Sequence, residues 1–202
     1  MSGVRDYAVV SAAYWGFTLT DGALRMLMLL HFHNLGYSPF QLASLFVLYE
    51  IMGVVTNLVG GWLASRHGLK IMLHTGLGLQ VAALITLSLL DPAWSLAWSI
   101  SYVLAVQGVS GVAKDLTKIS SKSAIKLVVP NNSHSTLFKW VAVLTGSKNA
   151  LKGVGFFLGG LLLSTMCFVL GLWLMAACLA LVLLASLSLL PNDMGTRKPK
   201  TK

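Results

Sequence analysis

Charge is what this sequence has least of. Asp, Glu, Lys and Arg make up 10% of its 202 residues, against 56% hydrophobic ones, whereas a soluble domain carries about a quarter charged residues. That composition excludes an ordinary soluble globule and points to a chain embedded in lipid. Acidic side chains are the rarest: six, against fifteen Lys and Arg, for a formal charge of +9. An excess of base can mark a nucleic-acid binder, but such proteins spread Lys and Arg over a polar surface. Here the basic residues sit between long apolar segments, so nucleic acid is not an expected partner.

Other shortages narrow the chemistry. The two cysteines, Cys167 and Cys178, fall in the last apolar run with no His or carboxylate nearby, which fits neither a zinc site nor a disulfide within one helix. His31 and His33 have no third ligand in sequence, so no metal is expected. No nucleophile stands with a base, which argues against an enzyme. Gly146-Ser147-Lys148 lacks the upstream glycine of a phosphate loop, and Gly153-Val154-Gly155 with Gly159 lies in an apolar helix where small residues allow close packing; no cofactor is expected. Nor does the first apolar stretch end in a small-residue cleavage site, so it reads as a retained helix rather than a leader.

What the sequence does have is long apolar runs. A bilayer core needs roughly 20 apolar residues in helical form, since no water is there to satisfy free backbone groups. Six segments meet that demand, at about 8–32, 41–64, 70–90, 94–114, 138–165 and 168–190, followed by a basic tail over 191–202. Gly36, Pro39, Gly68 and Asp91-Pro92 punctuate the first breaks; Pro130, Asn131 and Asn132 mark the longest loop. No Lys or Arg occurs between Arg25 and Arg66, between Lys70 and Lys114, or between Lys152 and Arg197. Alternate turns therefore lack positive charge, and the positive-inside rule puts both termini in the cytoplasm. Gly60-Gly61 in the second helix and Gly159-Gly160 in the fifth are a faint echo of an internal three-helix repeat.

Charge inside these helices is the informative feature, because an Asp, Lys or Arg at a helix centre costs about 2.5–3.5 kcal/mol on insertion. Asp21 and Arg25 share one face of the first helix. They are either a self-neutralising ion pair or a gate or substrate contact. Glu50, in the second helix, is either a proton carrier or the counter-ion of a lysine. Lys148 and Lys152 share a face of the fifth helix, where like charges repel and no acidic residue is near. A phosphate-like ligand, Glu50 or Asp21 from a neighbouring helix, or water could compensate them; alternatively the helix starts late and both snorkel to the interface. Lys114, Asp115, Lys118, Lys122 and Lys126 form a stripe that reads as the solvated face of a helix leaving the membrane, with attraction of an anion as a second role.

The segment from Gly61 to Lys70, GWLASRHGLK, resembles the cytoplasmic loop motif of the major facilitator superfamily. Gly61, Leu63, Arg66, Gly68 and Lys70 agree with it; Ser65 stands at the usual aspartate and Leu69 at a second basic position. The strings YWGFTLTDGALR, HFHNLGYSPFQLA, AKDLTKISSKSAIKLVVP and LFKWVAVLTGSKNALKGVGFFLGG further resemble the organoarsenical efflux permeases (ArsJ-type) of that superfamily. The resemblance implies an all-α integral membrane fold: one six-helix half of such a transporter, built of two inverted three-helix repeats, in the bacterial inner membrane. It implies export of an arsenate ester of 3-phosphoglycerate, made when glyceraldehyde-3-phosphate dehydrogenase uses arsenate in place of phosphate, and hence arsenate resistance with a functional link to that dehydrogenase. Under it Arg25, Lys148 and Lys152 bind the anion, and Asp21 or Glu50 compensates charge or couples a proton. A complete permease of the superfamily has two six-helix halves; the expectation is a truncated sequence, with a separate second half or a homodimer as the other routes to a whole. The competing readings are a non-transporting membrane subunit or fragment, and a transporter of another phosphorylated organic acid.

Overall fold

The computed structural model describes residues 2–127 and 134–191. Among them the chain forms six long helices: α1 (Ser2–Asn34), α3 (Val47–His67), α4 (Leu69–Leu87), α5 (Leu96–Ala124), α6 (His134–Thr165) and α7 (Phe168–Leu189), with the short α2 (Pro39–Ser44) leading into α3. The breaks follow local chemistry. Gly36 adopts φ +85° after α1, where a side chain would be strained. Ser38 caps α2 in a reciprocal capping box with Gln41, and Pro39 occupies its first turn. Gly68, at φ +81°, ends α3 and starts α4 without a spacer. The loop at Pro130 and the tail beyond Pro191 lie outside the described residues.

Four of the helical segments, Pro39–His67, Leu69–Leu87, Leu96–Ala124 and Phe168–Leu189, are by themselves long and apolar enough to span a bilayer. α1 and α6 are longer still, at 33 and 32 residues, and fall outside that set. They are the helices that carry Asp21, Arg25, Lys148 and Lys152, so their polarity has a location rather than being diffuse. The bundle turns large apolar side chains outward, among them Leu58, Trp98, Phe157 and Leu181, while Leu27, Leu73, Leu84, Leu172 and Leu179 are sealed inside. An exposed apolar belt of this kind is what a lipid-facing surface requires.

Helix packing has an internal symmetry. α1 packs most extensively on α6 and α3 on α5; α4 packs on both α5 and α7, and α1 also packs on α7. Exchanging α1 with α5, α3 with α6 and α4 with α7 maps this set of pairs onto itself, as two three-helix repeats require. Glycine makes the close α1–α6 and α3–α5 contacts possible. On α1 a Cβ at Gly22 would run into the Lys152 carbonyl, and one at Gly159 would run into that of Ala23. On the other pair, Gly111 lies against the Tyr49 backbone and Gly60 against Ile119. The faint glycine echo has a matching environment: Gly60 and Gly159 are both packed against the neighbouring helix, whereas a Cβ at Gly61 would meet nothing and one at Gly160 only Leu30 at 3.7 Å.

The fourth span differs from its expected limits. α5 runs on to Ala124 rather than ending near 114. Its hydroxyl-rich end stays buried because the hydroxyls find backbone carbonyls: Thr117 donates to Ala113, Ser121 to Thr117 and Ser120 across to Leu69. At the same end, Arg5 donates to the Leu189 carbonyl and Lys70 to that of Leu190. The start of α1, the start of α4 and the end of α7 therefore share one end of the bundle.

Candidate functional site

A cavity of about 240 Å³ lies between α1, α3, α5 and α6. Tyr14, Phe17, Thr18, Asp21 and Arg25 line it from α1, their three- and four-residue spacing keeping them on one face. Glu50 enters from α3, Lys114 and Lys118 from α5, and Lys148 and Lys152 from α6. Five cations and two carboxylates thus converge between glycine-packed helix pairs. The volume is below the roughly 300–1,000 Å³ of pockets for drug-sized ligands, which favours a small polar occupant.

The charges divide into a paired set and an unpaired set. Arg25 donates from Nη2 to Glu50 Oε1 at 2.6 Å, and Lys114 Nζ reaches Glu50 Oε2 at 3.3 Å. The same two cations lie over the Tyr49 ring, with Arg25 Cζ 4.2 Å and Lys114 Nζ 4.1 Å from its centroid. Its hydroxyl donates to Asp21 Oδ1 at 2.5 Å, both side chains being buried. Lys118 donates to Asp115 Oδ1 at 2.6 Å and to Asn57 Oδ1 at 3.2 Å. Arg25 Nε is buried without a hydrogen-bond partner among the described residues. Lys148 and Lys152 form no ion pair with a described carboxylate; Lys152 Nζ lies only over the Phe156 ring, at 5.8 Å. Counting Asp115, five cations face three carboxylates, a surplus of two positive charges. Ammonium and guanidinium groups gathered in this way can make short, charge-assisted hydrogen bonds to an oxyanion.

All five residues picked out from the helix interiors, Asp21, Arg25, Glu50, Lys148 and Lys152, line this one cavity. Their partnerships differ from the simplest expectation. Asp21 and Arg25 do not neutralise each other: Arg25 pairs with Glu50, and Asp21 takes the Tyr49 hydroxyl. α6 does not start late, so Lys148 and Lys152 lie within the helix rather than at its mouth. The Lys114-to-Lys126 stripe is not one solvated face, since Asp115 is 1% exposed and Lys114 and Lys118 line the cavity. Tyr49 was missed, and Lys114 and Lys118 were read first as part of a solvated stripe, with attraction of an anion only as its second role; here both line the cavity.

The loop residues lie elsewhere. Arg66 stacks over Trp62 at 5.3 Å, Gly68 makes the turn, Lys70 reaches the end of α7, and a Cβ at Gly61 would meet open space. His31 stacks on Phe168 with centroids 3.9 Å apart. Among the described residues no three His, Cys, Asp or Glu side chains converge as a metal site would need.

Residues 9–202 match the family profile described as Major Facilitator Superfamily. The chain belongs to the major facilitator superfamily. Its members are multi-pass membrane transporters of small molecules rather than enzymes. Comparison with curated proteins gives no match. Among solved structures, the peptide transporter POT, crystallised in complex with sulfate, superimposes with a TM-score of 0.70 at 17% identity. The superposition covers 96% of this chain and 40% of that transporter, so the chain spans well under half of its length. The shared architecture is a six-helix half of a superfamily transporter; in this chain the first, second, fourth and fifth long helices enclose the cationic cavity.

Proposed function

We propose that this chain forms the anion-binding half of a secondary exporter for an organoarsenical anion, the arsenate ester of 3-phosphoglycerate, and confers arsenate resistance. The observation that carries the reading is the pair Lys148 and Lys152, two cations on one cavity wall with no described carboxylate partner. Like charges so placed repel, and an anion bound between α1 and α6 relieves that repulsion. Arg25, Lys148 and Lys152 hold the ligand. Asp21 and Glu50 compensate charge in its absence and are the candidates for proton coupling.

The arsenical substrate is favoured by the long strings that resemble organoarsenical efflux permeases, from Tyr14 to Ala43, Ala113 to Pro130 and Leu137 to Gly160. Arsenic in that ester is pentavalent and oxygen-bound, so cationic side chains suit it and thiols are not needed. Cys167 and Cys178 are accordingly outside the cavity lining. The distribution of Lys and Arg supports cytoplasmic placement of both termini, and the same resemblance supports a bacterial inner membrane. A link to glyceraldehyde-3-phosphate dehydrogenase, which makes the ester, and a second six-helix half or homodimer complete the proposal.

Arsenate survival of a sensitive host tests it. The host expresses this chain with the dehydrogenase, as wild type, Lys148→Ala or Arg25→Ala, at equal membrane abundance. The reading expects resistance in the wild type and its loss in both variants. Equal survival of wild type and empty host would reject the chain as a working exporter by itself, and uptake of another phosphorylated acid in place of arsenical export would favour the competing substrate.

A further inference from the structure

The three carboxylates at the cavity are not equivalent. Asp115 is 1% exposed and held by Lys118 at 2.6 Å; Asp21 is buried under the Tyr49 hydroxyl. Glu50 has 60% of its side chain exposed, yet its two oxygens engage Arg25 and Lys114 on different helices. Glu50 is therefore the one acid here that can leave its cations without stranding a buried charge or breaking into the core. Its carboxylate occupies one cation pair, while the other pair, Lys148 and Lys152, is open to an anion from outside the chain.

We propose that Glu50 is a built-in competitor for half of the binding site and so selects two-headed anions. One anionic group of the ligand settles between Lys148 and Lys152 at no displacement cost. A second anionic group on the same molecule takes Arg25 and Lys114 from Glu50, because being tethered to the first it arrives at high effective concentration. A single-headed oxyanion lacks that advantage and occupies only the open pair. Tyr49 is a positioning residue in this scheme: its ring keeps Arg25 and Lys114 in place whether or not Glu50 is engaged. The inference rests on the anion-cavity reading above and adds to it a rule for which anions are accepted.

Calorimetric titration of the chain in lipid nanodiscs, with inorganic phosphate as the single-headed probe and 3-phosphoglycerate as the two-headed one, tests the proposal. Wild type is expected to take up a single phosphate weakly and 3-phosphoglycerate more tightly. Glu50→Gln is expected to admit a second phosphate per chain and to bind 3-phosphoglycerate about three- to tenfold tighter, the scale of partly exposed ion pairs removed from competition. Glu50→Asp keeps the charge but pulls the carboxylate back, so it guards against a glutamine variant that does not fold; it too should tighten 3-phosphoglycerate binding. Unchanged phosphate stoichiometry and affinity in a folded Glu50→Gln chain would overturn the displacement, as would a Glu50→Asp chain that matches wild type. If wild type binds neither probe, the cavity reading itself fails, which is a separate result.

Discussion

Replacing Tyr49 by Phe while leaving its ring in place isolates the hydroxyl bond to Asp21 that ties α3 to α1 beside the cavity. The bond is 2.5 Å long, between a tyrosine 1% exposed and an aspartate 5% exposed. A hydrogen bond to a charged group in a protein is worth about 1.5–3 kcal/mol. Interhelical hydrogen bonds within membranes average only about 0.6 kcal/mol, because a chain inserted but not packed finds other partners. A short, buried, charge-assisted bond belongs near the top of the membrane range, so we expect a coupling of about 1.5 kcal/mol. The Phe ring still stacks on Arg25 and Lys114, which keeps those contacts out of the difference. Tyr49→Phe, Asp21→Ala and the double variant form a cycle, read by denaturant unfolding in mixed micelles. A coupling below about 0.5 kcal/mol, the usual scatter for independent sites, would refute the claim that this bond joins the helices.

Two further outcomes are expected. Gly22→Val should destabilise the chain by about 1–3 kcal/mol, since the added carbons meet the α6 backbone at Lys152, whereas Gly61→Ala, which meets open space, should stay within about 0.5 kcal/mol of wild type; thermal unfolding of both compares them directly. Cys167 borders a cavity of about 500 Å³ at the end of the bundle opposite Arg5, together with His31, Trp94 and Phe168, while Cys178 lies on the apolar surface within α7. A membrane-impermeant maleimide applied to intact cells should label Cys167 and spare Cys178; label confined to inverted vesicles would reverse the proposed orientation.

Recognition of the site in the sequence was uneven for a physical reason. Asp21, Arg25, Glu50, Lys148 and Lys152 stood out because each lies in a stretch where a charge is costly, which is a property of the stretch alone. Lys114 and Lys118 were read instead as part of a solvated stripe with Lys122 and Lys126, because a four-residue period in a hydroxyl-rich segment is also that of a helix face turned to water. Only the packed structure shows Ser120 donating to Leu69 on a different helix, which lets that polar segment remain helical and buried.

What the sequence determined by itself was the number of long helices, their breaks at Gly36 and Gly68, and the surplus of positive charge within them. Insertion into lipid and helix formation are decided over some twenty neighbouring residues, whose backbone groups satisfy one another locally. Which charge meets which was decided only by tertiary structure. Arg25 lies one turn from Asp21 yet pairs with Glu50, because the close crossings at Gly22 and Gly111 bring α6 onto α1 and α3 onto α5 and leave Arg25, Lys114 and Glu50 around a single cavity. Ion pairing depends on distances across helices, and those depend on which helix each glycine is packed against.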